Sequence, residues 1–139
     1  MLVNTRAVRI QWGDCDPAGI IYYPRYFALF DACTSALIER ALGMTKQDYL
    51  KAYDFSGHPL VNTHSRFLVP TTFGDDVTIE TTVTDVRRSS FDVRHRLFKN
   101  GALAVEGVET RVWVRGDPTN GTMRAAPLPQ AVIDRLSQG

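Results

Sequence analysis

Apolar and polar residues change rhythm along the chain, and each rhythm predicts an element. From Thr5 to Trp12 they alternate. Val8 and Ile10 share one face and Arg9 and Gln11 the other, which predicts a half-buried strand. Gly13 to Tyr23 has no period and reads as loop. From Tyr23 to Leu42 the spacing lengthens: Phe27, Phe30, Thr34, Leu37, Ile38 and Ala41 recur at helical intervals and form one apolar stripe. Pro24 suits the first position of that helix, where its missing N–H costs nothing. Gly43 predicts the C-cap. Tyr23 precedes the proline and is expected in extended backbone, the conformation an N-cap adopts. A shorter helix is predicted from Thr45 to Tyr53, with Thr45 as cap.

After "DFSGHP" the texture becomes that of strands. Leu60–Val69, Val77–Val86, Ser90–Phe98 and Ala102–Arg115 are rich in Val, Thr, Ile and Phe, and the turn signals "PTTFGDD", "RRSS" and "KNG" divide them. In the third of these, Phe91, Val93, His95 and Leu97 share a face, with Asp92, Arg94 and Arg96 opposite. Short connections imply antiparallel neighbours. The tail "PLPQAVIDRLSQ" allows a last short helix after Pro127. The order is strand, long helix, then four strands, without repeats or linkers. One long apolar helix must be buried against one curved antiparallel sheet, so the fold class is α+β, in a single domain over residues 1–139.

Composition narrows the function classes. A chain of 139 residues with 44% hydrophobic and 22% charged residues is ordinary for a globular domain and argues against disorder. A net charge of +1 offers no general field for nucleic acid or membrane, so any anion site must be local. "MLVNTRAVRI" lacks the long apolar run of a signal peptide, and no segment is long and apolar enough to span a bilayer. Two cysteines, Cys15 and Cys33, are too few for a disulfide scaffold. The expectation is a cytoplasmic protein with reduced thiols.

The candidate chemistry lies in "GDCDPAGIIYYPRYF", Gly13 to Phe27. Asp16-Pro17-Ala18-Gly19 matches a type I turn. The same loop delivers its backbone to the start of the long helix, where free N–H groups favour negative charge and can polarise a carbonyl. A carboxylate aimed at that carbonyl, or at a water beside it, completes the parts needed for acyl transfer. A rigid turn and an active site are both open readings of Asp16, and they are compatible. Other catalytic signals are weak. His58, His64 and His95 lack metal-ligand spacing, and there is no G-x-S-x-G, phosphate loop or C-x-x-C. His95 falls on the apolar face of its strand and reads as a satisfied core residue; His58 and both cysteines also read as structural. Trp12, Tyr22 and Tyr26 fit either an aromatic pocket or the core.

The stretch "GDCDPAGIIYYPRYFALFDA" resembles the signature region of the 4-hydroxybenzoyl-CoA thioesterase family, a hot-dog-fold group, most closely its aryl-CoA branch through "GDCDPAGI" and the spaced "YP" and "Y". "RRSSF" and the strand order extend the resemblance over nearly the whole chain. It implies a hot-dog fold: a long central helix wrapped by a five-stranded antiparallel sheet. It also implies pairing of two chains into one continuous sheet, commonly as a dimer of dimers, with sites at the subunit interface. Asp16 matches the family's catalytic aspartate, nucleophile or general base, and the backbone N–H of Tyr23 matches the group that polarises the thioester carbonyl. Asp14 matches a second carboxylate that orders the loop. Some relatives carry His at the position of Pro24, so a role for that histidine does not carry over. Arg87 and Arg88 fall where the family places basic residues against coenzyme A phosphates, a pairing arginine suits; the competing reading is a solvated hairpin pair. Arg124, in the tail, is a weaker candidate.

The function so implied is acyl-CoA thioester hydrolysis to free acid and coenzyme A, without metal or organic cofactor, by a homodimer or homotetramer. The runner-up is a non-catalytic hot-dog domain that binds acyl-CoA, which has no need of a carboxylate aimed at the carbonyl. A hydratase ranks last, because its proton transfers call for a histidine that the Asp16 loop lacks. The acyl group is left open between hydroxybenzoyl, phenylacetyl and short aliphatic chains.

Overall fold

The computed structural model describes residues 2–138. The elements are β1 (Val3–Arg9), α1 (Pro24–Leu42), α2 (Lys46–Ala52), β2 (Leu60–Phe67), β3 (Asp76–Val86), β4 (Ser90–Lys99), β5 (Ala102–Val112), the short strands β6 (Val114–Arg115) and β7 (Arg124–Ala125), and α3 (Gln130–Leu136). Five strands form one antiparallel sheet in the order β1-β3-β4-β5-β2, so β1 and β2 are its edges. The helix and the sheet fall where alternation and periodicity put them. The first strand starts and stops earlier than expected, because residues Trp12–Asp14 turn into a short 3₁₀ segment.

Helix α1 lies on one face of the sheet because it has one face to bury. Phe30, Thr34, Leu37, Ile38 and Ala41 are inside, as the periodicity predicts. At the N-terminal end Tyr26 turns inward rather than Phe27. The Tyr26 hydroxyl finds a buried partner in Thr71 Oγ1 at 2.9 Å, which satisfies the polar tip that burial would otherwise penalise. The helix ends at Gly43, whose N–H reaches the Glu39 carbonyl at 2.9 Å.

Burial divides into two apolar clusters along α1. One surrounds Ile10, Ile21, Tyr26, Phe30, Ile79 and Leu97, near the helix start. The other surrounds Leu37, Tyr49, Phe55, Phe91, Trp113 and Leu136, near its end, where α2 and α3 pack. Between them the inward face carries polar groups: Thr34, Thr81, His95, Glu109 and Arg111 are all buried. Phe30 stacks on His95 with ring centroids 4.6 Å apart. That approach needs Gly107, since a Cβ there would lie 2.6 Å from the Phe30 ring.

Candidate active site

The loop between β1 and α1 folds back on itself. Cys15 bridges Ile21, and Ile20 bridges Thr72. Asp16 N–H donates to the Ile20 carbonyl at 3.0 Å, and Tyr22 N–H to the Asp14 carbonyl at 2.7 Å. Asp14 also braces the strand exit: its carboxylate accepts the Gln11 N–H at 2.9 Å. One small hairpin therefore carries Asp16 on one arm and leads from the other into α1.

Asp16 makes the turn its sequence predicts. Gly19 N–H donates to the Asp16 carbonyl at 2.9 Å, and Gly19 takes φ +83°, a conformation glycine tolerates best. The Asp16 carboxylate accepts the Ala18 N–H through Oδ1 at 2.9 Å. No hydrogen bond among the described residues reaches Oδ2. The turn thus fixes the side chain and leaves one oxygen unclaimed.

Tyr23 corrects an expectation. It is helical, at φ −52° and ψ −34°, not extended. Two tight bonds override the preference imposed by Pro24: Arg25 N–H donates to the Tyr22 carbonyl at 2.8 Å and Tyr26 N–H to the Tyr23 carbonyl at 3.1 Å. The chain is therefore already wound one residue before the proline. Helical amides point along the axis toward the N-terminus, so the Tyr23 N–H is directed out of the helix start. It has no hydrogen-bond partner among the described residues, and Pro24 contributes no N–H of its own.

Beside this amide is an apolar pocket of about 200 Å³. Ile20 and Ile21 wall it from the loop, and Tyr23 and Tyr26 from the helix. Phe67 to Pro70, the chain leaving β2, closes the far side. Of the three aromatic residues that fitted either pocket or core, Tyr26 is buried and lines this pocket. Trp12 is 71% exposed, edge-on to Phe73, and Tyr22 is 51% exposed, so neither belongs to the core.

The two arginines of the β3–β4 turn differ. Arg87 donates to Ser90 Oγ, to Asp85 Oδ2 at 2.8 Å and to both Asp92 oxygens at 3.0 and 2.7 Å. Two carboxylates neutralise it, so it holds the hairpin and has little charge to bring to a phosphate. Arg88 has no side-chain partner of this kind among the described residues; its carbonyl accepts the Leu128 N–H at 2.9 Å, tying the hairpin to the tail. Arg115 and Arg124 face each other across the β6–β7 pair nearby, a juxtaposition of like charges that a bound anion would relieve. Arg115 carried no signal of its own in the sequence, since only tertiary pairing brings it to Arg124.

The arginines and Asp16 are at opposite ends of the sheet. Arg9 pairs with Asp76 at the start of β3, next to the Asp16 loop, whereas the Arg87–Arg88 turn follows Val86 at its end. The 11 residues of β3 separate the two by roughly 30 Å at about 3.3 Å per residue.

The buried polar seam is a different kind of site. His95 Nδ1 meets Thr81 Oγ1 at 2.9 Å and its Nε2 meets Glu109 Oε1 at 3.0 Å. Arg111 grips Glu109 through Nε and Nη2 at 3.2 and 2.8 Å, and donates to Asp31 and the His58 carbonyl. Burial opposes the Glu109 charge, but bonds from His95, Arg111 and Thr34 win and hold the carboxyl down at about 2. His95 is thus the satisfied core residue its strand position predicts. His58 is buried against the Tyr49 hydroxyl at 3.1 Å; burial, with the charges of Lys46 and Arg111, lowers its pKa to about 4, so it is neutral at physiological pH.

Residues 10–136 match the model of the thioesterase-like superfamily. The chain is 31% identical to the 4-hydroxybenzoyl-CoA thioesterase of Pseudomonas sp. strain CBS-3 over 96% of both chains. The structure of that enzyme superposes with a TM-score of 0.86, covering 96% of this chain and 98% of the other at 30% identity. A mutant 4-hydroxybenzoyl-CoA thioesterase complexed with 4-hydroxybenzoyl-CoA superposes at 0.87, again at 30% identity, over 97% and 99%. The 1,4-dihydroxy-2-naphthoyl-CoA hydrolase of Synechococcus elongatus is 28% identical over 91% of this chain and 90% of its own. The long helix on a five-stranded antiparallel sheet is the hot-dog fold of these enzymes, and the chain belongs to the thioesterase-like superfamily as a 4-hydroxybenzoyl-CoA thioesterase relative, an enzyme that hydrolyses coenzyme A thioesters.

Proposed function

We propose that the thioester is cleaved at the loop–helix junction, with Asp16 as nucleophile or general base and the Tyr23 amide as the group that polarises the carbonyl. One observation carries the reading: a carboxylate with an unclaimed oxygen and an amide without a partner share the same small hairpin. The amide and the positive end of α1 stabilise the oxyanion as the carbonyl carbon becomes tetrahedral. Asp16 either attacks that carbon directly, giving a mixed anhydride that water opens, or removes a proton from the attacking water. Either route expels the coenzyme A thiolate and leaves the free acid. Amide and carboxylate supply both halves of the chemistry, so the reaction is proposed to need no metal or organic cofactor. The cellular site proposed is the cytoplasm, where Cys15 and Cys33, both free, stay reduced.

The coenzyme A end is proposed to be held by the Arg87–Arg88 turn, with Arg88 making the phosphate contact and Arg87 holding the turn. Arg124 lies on the same end of the sheet. A gap of roughly 30 Å exceeds an extended pantetheine arm, so the catalytic loop and the arginines serve one ligand when different chains supply them. This supports a homodimer or homotetramer. The β2 edge supports it too: Leu60, Val61, Phe67, Leu68 and Val69 are exposed along it and just beyond, and an unpaired apolar edge invites a second copy.

Thiol release from a panel of acyl-CoA thioesters tests the chemistry. Turnover without added metal is expected; tight binding of every thioester without release would favour the non-catalytic acyl-CoA-binding domain. Mixing Asp16→Asn with Arg88→Ala chains tests the shared site. Re-formed mixed oligomers should show a fraction of sites with the native KM, which neither variant has alone; no such fraction places both groups in one chain's site.

A further inference from the structure

We infer that Lys99 is a positioning residue for the hydrolysis: its ammonium clamps the turn between β2 and β3, and that turn holds the Asp16 hairpin against the start of α1. The inference rests on the roles proposed above for Asp16 and the Tyr23 amide. Lys99 stands at the end of β4, opposite Val77. Its Nζ donates to the Pro70 carbonyl at 3.3 Å and lies 2.9 Å from Asp75 Oδ2. The same Asp75 oxygen accepts the Thr72 N–H at 2.7 Å and the Thr72 hydroxyl at 3.1 Å. One cation and one carboxylate thus pin the turn from Pro70 to Asp75 at both ends.

The clamped turn supports both halves of the site. Thr71 is fully buried. Its carbonyl accepts the Ile21 N–H at 2.9 Å, and its Oγ1 meets the Tyr26 hydroxyl at 2.9 Å, in the first turn of α1. Thr72 bridges Ile20, whose carbonyl accepts the Asp16 N–H at 3.0 Å. The Asp75 carbonyl accepts the Ile10 N–H and the Gly74 N–H donates to the Ile10 carbonyl, both at 2.9 Å, where the chain leaves β1 for the loop. Hairpin, helix start and strand exit are therefore all tied to one turn. Among the described residues, neither Lys99 nor Asp75 hydrogen-bonds to Asp16 or to the Tyr23 amide. The contribution of Lys99 is geometric, and misplacing reacting groups by about 1 Å costs up to about 10²-fold in rate. The Lys99 ammonium, with the Thr72 amide, holds the Asp75 carboxyl below the usual carboxylate range, so that end of the clamp is ionised at neutral pH. Both side chains are 22% exposed, and ion pairs in contact with solvent add little to global stability. Placement of the turn is then the main effect of the pair.

The test measures kcat, KM and the urea midpoint for Lys99→Met, for Lys99→Arg, and for Lys99→Met combined with Asp16→Asn, using the fastest thioester of the acyl-CoA panel. Lys99→Met keeps the aliphatic stem and removes the cation. Its kcat should fall by about 10-fold or more, with KM changed by less than about 2-fold and the midpoint close to native. Lys99→Arg, which keeps a cation, should recover most of the loss. In the Asp16→Asn background, Lys99→Met should cost less than about 2-fold, because a group that acts by placing Asp16 has no carboxylate left to place. Native kcat in folded Lys99→Met, or the same fold loss with and without the Asp16 carboxylate, overturns the positioning role and leaves the thioesterase reading standing. A kcat loss that tracks a lower midpoint and is not relieved by arginine also overturns it, and makes Lys99 a stability residue. Native turnover in Asp16→Asn, or no turnover of any thioester by the native protein, overturns both.

Discussion

Glu109 and Asp16 are both carboxylates on the route between sheet and helix, and their surroundings are opposite. Glu109 is 3% exposed, bound by His95, Thr34 and Arg111, and held down at about 2. Asp16 is half-buried in a loop, with one oxygen in its own turn and the other unclaimed. Perturbation and burial, often read as marks of a functional site, here mark the group whose bonding is complete. The proposed capacity to react belongs to the group left with an oxygen unclaimed. The Glu109 seam locks α1 onto the sheet between the two apolar clusters; the Asp16 loop uses the end of the helix that the seam has fixed.

The largest expected effect is on the seam. Glu109→Ala leaves Arg111 and His95 buried without their carboxylate and should destabilise the protein by about 3–5 kcal/mol, read from urea unfolding. A loss below about 1 kcal/mol would mean the seam is not what fixes the helix. The sign of the pH dependence follows from the depressed carboxyl. Its stabilisation is complete above the ordinary value of 4.5 and is lost as pH falls through about 2. The native protein should therefore lose stability over that window more steeply than Glu109→Gln does.

Smaller effects sharpen the contrast between bound and unbound groups elsewhere. Arg88→Ala should raise the KM for acyl-CoA by about 10-fold, the value of one charge-assisted phosphate contact, with less change in kcat. Arg87→Ala should move KM by under about 2-fold and instead loosen the hairpin, since its partners are Asp85 and Asp92. Equal KM effects from the two would put the contact on both residues. Smallest of all, Tyr23→Phe should lower turnover by less than about 2-fold, because the proposed oxyanion contact is its backbone N–H and not its phenol.

Much of this was legible in the chain. Alternation in Ser90–Phe98 put His95 inside, and the Asp-Pro-Ala-Gly tetrad gave the turn that aims Asp16. What was not legible came from hydrogen-bond partners, some local and some distant in sequence. Tyr23 looked extended because Pro24 follows it; the carbonyls of Tyr22 and Tyr23, engaged from Arg25 and Tyr26, wound it instead. Arg87 and Arg88 are equivalent as letters. In a hairpin, neighbours point to opposite sides, and Asp85 and Asp92 lie on the side of Arg87 only. Glu109 and Arg111 carry a signal, two charges on the inward register of a strand, which the β-propensity of Ala102–Arg115 masks. The pocket wall from Phe67 to Pro70 had no local signature, because only the fold sets it against Ile20 and Tyr26.

The most direct test of the account is steady-state thiol release by Asp16→Asn alongside the native protein, with unfolding measured on both. Asparagine keeps the oxygen that accepts the Ala18 N–H, so the loop and the stability should survive. With the reactive carboxylate gone, kcat should fall by about 10²-fold or more while substrate binding changes little. Native turnover in a folded Asp16→Asn protein would contradict the assignment and leave Asp16 as a turn residue only.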